Sequence, residues 1–172
     1  SFPTRRSSDL QLFSAMIESS KTSLRHLIVS QHPSGPSLRA LPDLSGLTNL
    51  AELEWRVSAS NELQRNPARE SLDQLRALPL HTLRLYDWRG VTGLVDDLRF
   101  LPTTIVHLTL PLPSPTTLAG LINDDQYREL RYIHLMVGAH EDATLWNPFA
   151  LAGLRAAFRH RGLRLDCDGT TI

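Results

Sequence analysis

The chain has 172 residues, room for one domain or for about five to seven stacked repeats, and too few for two independent globular domains. Its 18 basic residues are balanced by 18 acidic ones, which excludes the large charged footprint that nucleic acid or an anionic membrane surface demands. No apolar run approaches the roughly 20 residues that span a bilayer, and the lone cysteine, Cys167, can form neither an internal disulfide nor a thiolate zinc site. The expectation is an intracellular, cytoplasmic chain.

At the N-terminus, Ser1 to Leu10 (SFPTRRSSDL) resembles the conceptual translation of a sequencing-adapter oligonucleotide. It is set aside as a non-native scar. Residues 11–172 are then expected to form one domain, truncated on its N-terminal side, with poor order at the chain end.

Leucine makes up 32 of the 172 residues, and its placement is periodic. The pattern L-x-x-L-x-L, with apolar substitutes, occurs as LRHLIV from Leu24, LAELEW from Leu50, LHTLRL from Leu80, IVHLTL from Ile105 and LRYIHL from Leu130. Successive starts are 26, 30, 25 and 25 residues apart. A sixth, weaker copy is placed at His160, where HRGLRLDC keeps Leu163 and Leu165 but has no leading leucine. In each copy the last two apolar positions alternate with polar ones, which predicts a short strand with one buried and one wet face.

Between the strands, Leu72, Leu75 and Leu78, then Leu94, Leu98 and Leu101, and later Leu151, Leu154 and Phe158 recur every three or four residues. That spacing predicts short amphipathic helices. The string LRALP at Leu38–Pro42 and Leu75–Pro79, with LRFLP at Leu98–Pro102, ends each helix at a proline and sends an extended chain into the next strand. A unit of this kind cannot bury its apolar face alone, so neighbours are expected to stack, strands beside strands and helices behind them.

From Leu24 to about Cys167 the repeats resemble the leucine-rich-repeat family, in its irregular intracellular form and in the style of F-box substrate receptors. The resemblance implies an α/β solenoid with parallel strands on the concave side and short helices on the convex side. It also implies a protein-interaction module that binds its partner on the concave strand face, as the substrate-recognition part of an F-box-like ubiquitin-ligase adaptor does. One departure is plain. The asparagine or cysteine that the family places three residues after the last strand leucine is replaced by His32, Ser58, Trp88, Pro113 and Gly138.

In the register this implies, the outward strand positions form columns with neighbours about 4.8 Å apart. One column runs His26, Glu52, Thr82, His107, Tyr132, and the next runs Ile28, Glu54, Arg84, Thr109, His134, Arg164. Glu54 with Arg84 and His26 with Glu52 are expected ion pairs. The face is expected to be acidic at Glu52 and Glu54 and basic where Arg131, His134, Arg161 and Arg164 gather, a dipole that could orient a partner. Tyr86, Trp88, Tyr132 and Met136 are candidate anchors, whereas Trp55 takes an inward leucine position and belongs to the core. The partner-binding set read from the sequence is Glu52, Glu54, Arg84, Tyr86, His107, Arg131, Tyr132, His134 and Arg164.

Catalysis finds little support. His26, His81, His107 and His134 on separate strands would be the ligands of a metal-dependent enzyme, the alternative function, yet no two are column neighbours on adjacent repeats. Asp96 with Asp97 and Asp124 with Asp125 mimic a hydrolase carboxylate pair but fall in connectors, where acids commonly cap helices. No Gly-rich phosphate loop, G-x-S-x-G elbow or H-E-x-x-H pattern is present, so neither an enzyme nor a cofactor is expected.

Overall fold

A computed structural model describes residues 5–30, 43–56, 73–86, 98–136 and 148–167. Six strands form a single sheet: β1 (His26–Ser30), β2 (Glu52–Arg56), β3 (Thr82–Tyr86), β4 (His107–Pro111), β5 (Tyr132–Met136) and β6 (Arg164–Cys167). Their order across the sheet is their order in the chain, and every pairing is parallel. Among the described residues three α-helices accompany them: α1 (Arg5–Ser19), α2 (Pro115–Asn123) and α3 (Pro148–His160). None of the described helices is long and apolar enough to cross a membrane.

The repeated leucines are neighbours in space. Leu27, Leu53, Leu83, Leu108, Ile133 and Leu165 pair strand to strand in one row, all at most 7% exposed. The leading residues Leu50, Leu80, Ile105 and Leu130 are buried ahead of their strands. The second to fifth repeats enter the sheet by the same device: the carbonyls of Arg25, Ala51, His81 and Val106 each accept two backbone N–H bonds from the next repeat, as in Ala51 and Glu52 onto Arg25, both at 2.9 Å. Between β3 and β4 the paired rungs stop at Arg84 with Thr109. The physical reason is Pro111, which has no N–H to continue the ladder toward Leu85.

Behind the sheet, the inward strand residues join Ile17 of α1, Leu118, Leu121 and Ile122 of α2, and Leu154 and Phe158 of α3 in one apolar core. Trp55, 1% exposed, is part of it, as expected. The other side of the sheet carries polar residues that are partly or fully exposed, with Glu54 and Thr109 the buried exceptions. Parallel sheets normally have both faces covered; here the sequence alternation leaves one face polar.

The connectors carry leucines that predicted amphipathic helices, and their described parts are the helical residue Asp73 followed by the 3-10 turn Gln74–Ala77, and the 3-10 turn Leu98–Phe100; the stretches before Asp73 and Leu98 lie outside the described residues. Each turn is followed by a residue locked against proline: Leu78 donates to Leu75 at 3.1 Å and is already extended (ψ 146°) ahead of Pro79, and Leu101 donates to Leu98 ahead of Pro102. Leu154 and Phe158 do lie on a true helix, α3. Helix α2 was not foreseen, although its start is written as Ser114–Pro115: the Ser114 hydroxyl accepts from the Thr117 amide at 3.2 Å and Pro115 opens the helix. Helix α1 begins at Arg5, so the backbone from Arg5 to Leu10 is helical rather than a separate disordered arm. The string Leu38–Pro42, Leu72 and Leu94 lie outside the described residues.

The sixth repeat is shifted by two residues from the expected placement. Leu165, not Leu163, pairs with Ile133, so the copy begins at Gly162 and reads GLRLDC. The cause is the end of α3. Gly162 takes φ +68°, the Leu163 amide reaches the Phe158 carbonyl at 2.9 Å and the Gly162 amide reaches Arg159 at 3.1 Å, which is a Schellman cap. His160 is therefore still helical and cannot start a strand. A slip of two leaves each side chain on its face and moves it by one column.

Candidate binding face

The strand register builds the two outward columns directly. The first runs His26, Glu52, Thr82, His107, Tyr132 and then Arg164; the second runs Ile28, Glu54, Arg84, Thr109, His134 and then Asp166. Five members of each are as read from the sequence. Arg164 is corrected to the first column, and Asp166 takes its former place. A third position carries Ser30, Arg56 and Tyr86 in register, with Pro111 beside Met136 farther along.

The side chains resolve into two clusters. At the β2–β3 end, Arg84 Nη1 approaches Glu52 Oε2 at 3.4 Å, and Arg56 Nε contacts Glu54 Oε1. Arg56 also lies over the ring of Tyr86, 5.3 Å from its centroid. The expected pair of Glu54 with Arg84 is thus replaced: Glu54 is 7% exposed and is engaged by Arg56 on its own strand, which frees Arg84 to take the diagonal to Glu52. Glu52 is engaged by Arg84 rather than by the expected His26.

At the β4–β6 end, the rings of His107 and Tyr132 are 5.8 Å apart, and Tyr132 and His134 stack at 6.5 Å with 20° between their planes. The Tyr132 hydroxyl donates to Asp166 Oδ2 at 3.0 Å, Arg164 Nη2 meets the same oxygen at 3.1 Å, and the Arg164 guanidinium sits 5.7 Å from the Tyr132 ring centroid. Hydrogen bonding from Arg164 above all, assisted by Tyr132 and by the charges of Arg164 and His134, holds the Asp166 carboxyl below the usual carboxylate range against the opposing effect of desolvation.

The expected charge dipole is not built. Arg131 precedes β5 and turns its guanidinium onto the carbonyls of Arg128 and Leu130, off the strand face. Arg161 lies behind the sheet, donating to the carbonyls of Ile122 and Tyr127 and so tying the end of α3 to α2. Glu52, Glu54 and Asp166 each have an arginine of their own on the face. Among the described residues of the face, opposite charges are matched locally and form neither an acidic nor a basic end.

His81 stands one residue ahead of β3, and His26, His107 and His134 are separated by whole strands or columns. Among the described residues no three of His, Cys, Asp and Glu converge on a point that could hold a metal ion. Asp124 caps the 3-10 turn Asp125–Tyr127 by accepting from the Gln126 amide at 2.9 Å. Asp96, Asp97, His32, Ser58, Trp88 and Gly138 lie outside the described residues.

Sequence reasoning missed Arg56 and Asp166. Arg56 was readable as the residue two beyond Glu54, hence on the same face. Asp166 was hidden by the misplaced sixth repeat, which the glycine at 162 could have corrected as a helix stop. Comparison with protein-family models, with curated proteins and with solved structures gave no match.

Proposed function

We propose that this chain is a leucine-rich-repeat-like solenoid module that holds a protein partner against the polar strand face, with Glu52, Arg56, Arg84, Tyr86, His107, Tyr132, His134 and Arg164 as the contact set. The observation that supports this reading is the pairing of face residues with one another, within strands β2 and β6 and across β2–β3 and β5–β6. Side chains already held in place lose little freedom when a partner settles on them. Tyrosine and arginine in contact, as in Arg56 over Tyr86 and Arg164 over Tyr132, are the residue types that carry most binding energy at protein interfaces.

The test is site-specific photo-crosslinking in an extract of cells that make the chain. A photoreactive residue at Thr82 or His107 is expected to give a discrete adduct, whereas the same residue at Ala152 or Arg155 on the exposed side of α3 is expected to give none. Equal yields from both sets would overturn the assignment of the face.

A further inference from the structure

Among the described residues of the strand face, Glu52 is matched by Arg84, Glu54 by Arg56 and Asp166 by Arg164, so these charges cancel. The described groups left to change the charge of the face near neutrality are the imidazoles of His26, His107 and His134, imidazole being the side chain that ordinarily titrates between about pH 5 and 8. Two of them gather about one ring. The His107 ring centre lies 5.8 Å from that of Tyr132, the His134 ring stacks on Tyr132 at 6.5 Å, and the Arg164 guanidinium sits 5.7 Å from the same ring centre. His107 and Arg164 are exposed, and Tyr132 and His134 are half-buried. His107 faces Thr82 on β3 and Tyr132 on β5, with Arg84 on the diagonal; His134 faces Thr109 on β4 and Asp166 on β6, with Arg164 on the diagonal. The carboxylate among these neighbours, Asp166, is already held by Arg164 and by the Tyr132 hydroxyl. The same two residues, Arg164 first, keep its carboxyl below the usual range, so the Arg164–Asp166 pair stays matched in mild acid.

We infer that in mild acid this cluster takes an acidic peptide segment of a partner, with His107 and His134 joining Arg164 as cations around the Tyr132 ring. The inference rests on the strand face as the binding surface, and it names the chemistry of the partner and the condition under which it is held. Near neutrality Arg164 and Asp166 offset each other and the imidazoles add nothing. Once protonated, they leave the cluster with a surplus of positive charge on neighbouring strands, where like charges repel. The carboxylates of a bound peptide relieve that repulsion, and aspartates keep their own charge at about pH 5.5 because their ordinary pKa is near 3.9. The β1–β2 end does not offer the same surplus, since His26 stands directly opposite Glu52. A basic peptide gains nothing, because the Asp166 carboxylate is already engaged.

The probe is a fluorescently labelled peptide of about ten residues, rich in aspartate, whose binding to the whole chain is read by fluorescence anisotropy at low salt. Binding is expected to be about fivefold to tenfold tighter at about pH 5.5 than at about pH 7.5, the effect of two added exposed ion pairs, whereas a lysine-rich peptide of the same length shows no such gain. His107→Gln combined with His134→Gln is expected to remove the gain. His81→Gln combined with His160→Gln, one residue ahead of β3 and at the end of α3, is expected to keep it, which separates the cluster from the general rise in positive charge that acid brings. Circular dichroism at both pH values checks that each variant is folded, and the single substitution His107→Gln, at an exposed position, is expected to lose part of the gain. Equal affinity at the two pH values, or a gain that survives the loss of both imidazoles, overturns the inference; if crosslinking from Thr82 and His107 is intact in that case, the proposed face stands without an acid preference. A peptide taken up in acid through these histidines by a chain that gives no crosslinks supports the cluster and overturns the reading of the face made above.

Discussion

Tyr132 and Asp166 sit on neighbouring strands but not on the same rung: the hydroxyl of one donates to the carboxylate of the other at 3.0 Å along the diagonal, while Arg164, directly opposite Tyr132, closes on that carboxylate at 3.1 Å. The arrangement fixes an aromatic ring, a guanidinium and an acid as one unit. It also makes the unit depend on pH. With its carboxyl held below the ordinary range in the folded chain, chiefly by Arg164, Asp166 contributes stability that is present above the unfolded pKa and is lost as pH falls through the folded one. The gap in stability between the wild-type chain and Asp166→Asn is expected to be constant near neutrality and to close in acid. Denaturant titrations across a pH series measure it; a gap that persists into strong acid would remove Arg164 and Tyr132 as its cause.

Two glycines are expected to respond to alanine in opposite directions. Gly162 has φ +68° and open space around a built Cβ, so the cost of Gly162→Ala is conformational alone, about 1–2 kcal/mol. Gly120 lies inside α2 with equally open space, and Gly120→Ala is expected to gain about 0.5–1 kcal/mol. Equilibrium unfolding of the two variants side by side checks both signs. A neutral Gly162→Ala would mean that the cap at the end of α3 is not held as described.

Trp55 fills an inward position that other repeats give to leucine, valine or cysteine, and it is 1% exposed. Trp55→Ala is expected to cost about 3–5 kcal/mol, from lost burial and from the cavity left between β1 and β3. Its effect on the polar face should be indirect only, so crosslinking from His107 should survive at temperatures where the variant is folded.

Arg161 tests the separation between scaffold and face. Arg161→Met keeps the side-chain stem and removes the charged bonds to the carbonyls of Ile122 and Tyr127, a loss of about 1.5–3 kcal/mol. Melting temperature should fall while crosslinking from Thr82 and His107 stays unchanged. A variant that melts normally but loses the adduct would place Arg161 in the binding set.

Local matching of Glu52 with Arg84, Glu54 with Arg56 and Asp166 with Arg164 has a kinetic consequence. With the described charges of the face paired in this way, a partner held by that face should associate at a rate nearly independent of added salt. A steep fall in association rate with ionic strength would show that charges beyond these pairs dominate the encounter.

The strands, their order and nearly all of the register were legible because they depend on one variable, the spacing of apolar residues against the two-residue period of a strand. Leu27 to Ile133 form a row in space because they form one in sequence. Legibility failed where a backbone terminator competed with the pattern: the cap at Gly162 displaced the sixth repeat. It failed again at the ion pairs. Which acid an arginine takes depends on depth and reach, and nothing in the string distinguishes Glu54, which is buried, from Glu52, which is half exposed. Arg131 and Arg161 were grouped with the face by composition, and only the chain's path separates them from it.

Strand order equal to chain order means that, in the described sheet, each inner strand is hydrogen-bonded to the strand before it and the strand after it; a stack of repeats built on that order would behave as a one-dimensional row. Removing an end repeat dissolves one interface and leaves the others intact; removing β3 or β4 dissolves two and divides the row. Opening is therefore expected to begin at the ends and travel inward, with amide exchange slowest at the middle rungs. The same arithmetic lets a gene lengthen or shorten such a chain by whole repeats without rebuilding the remainder.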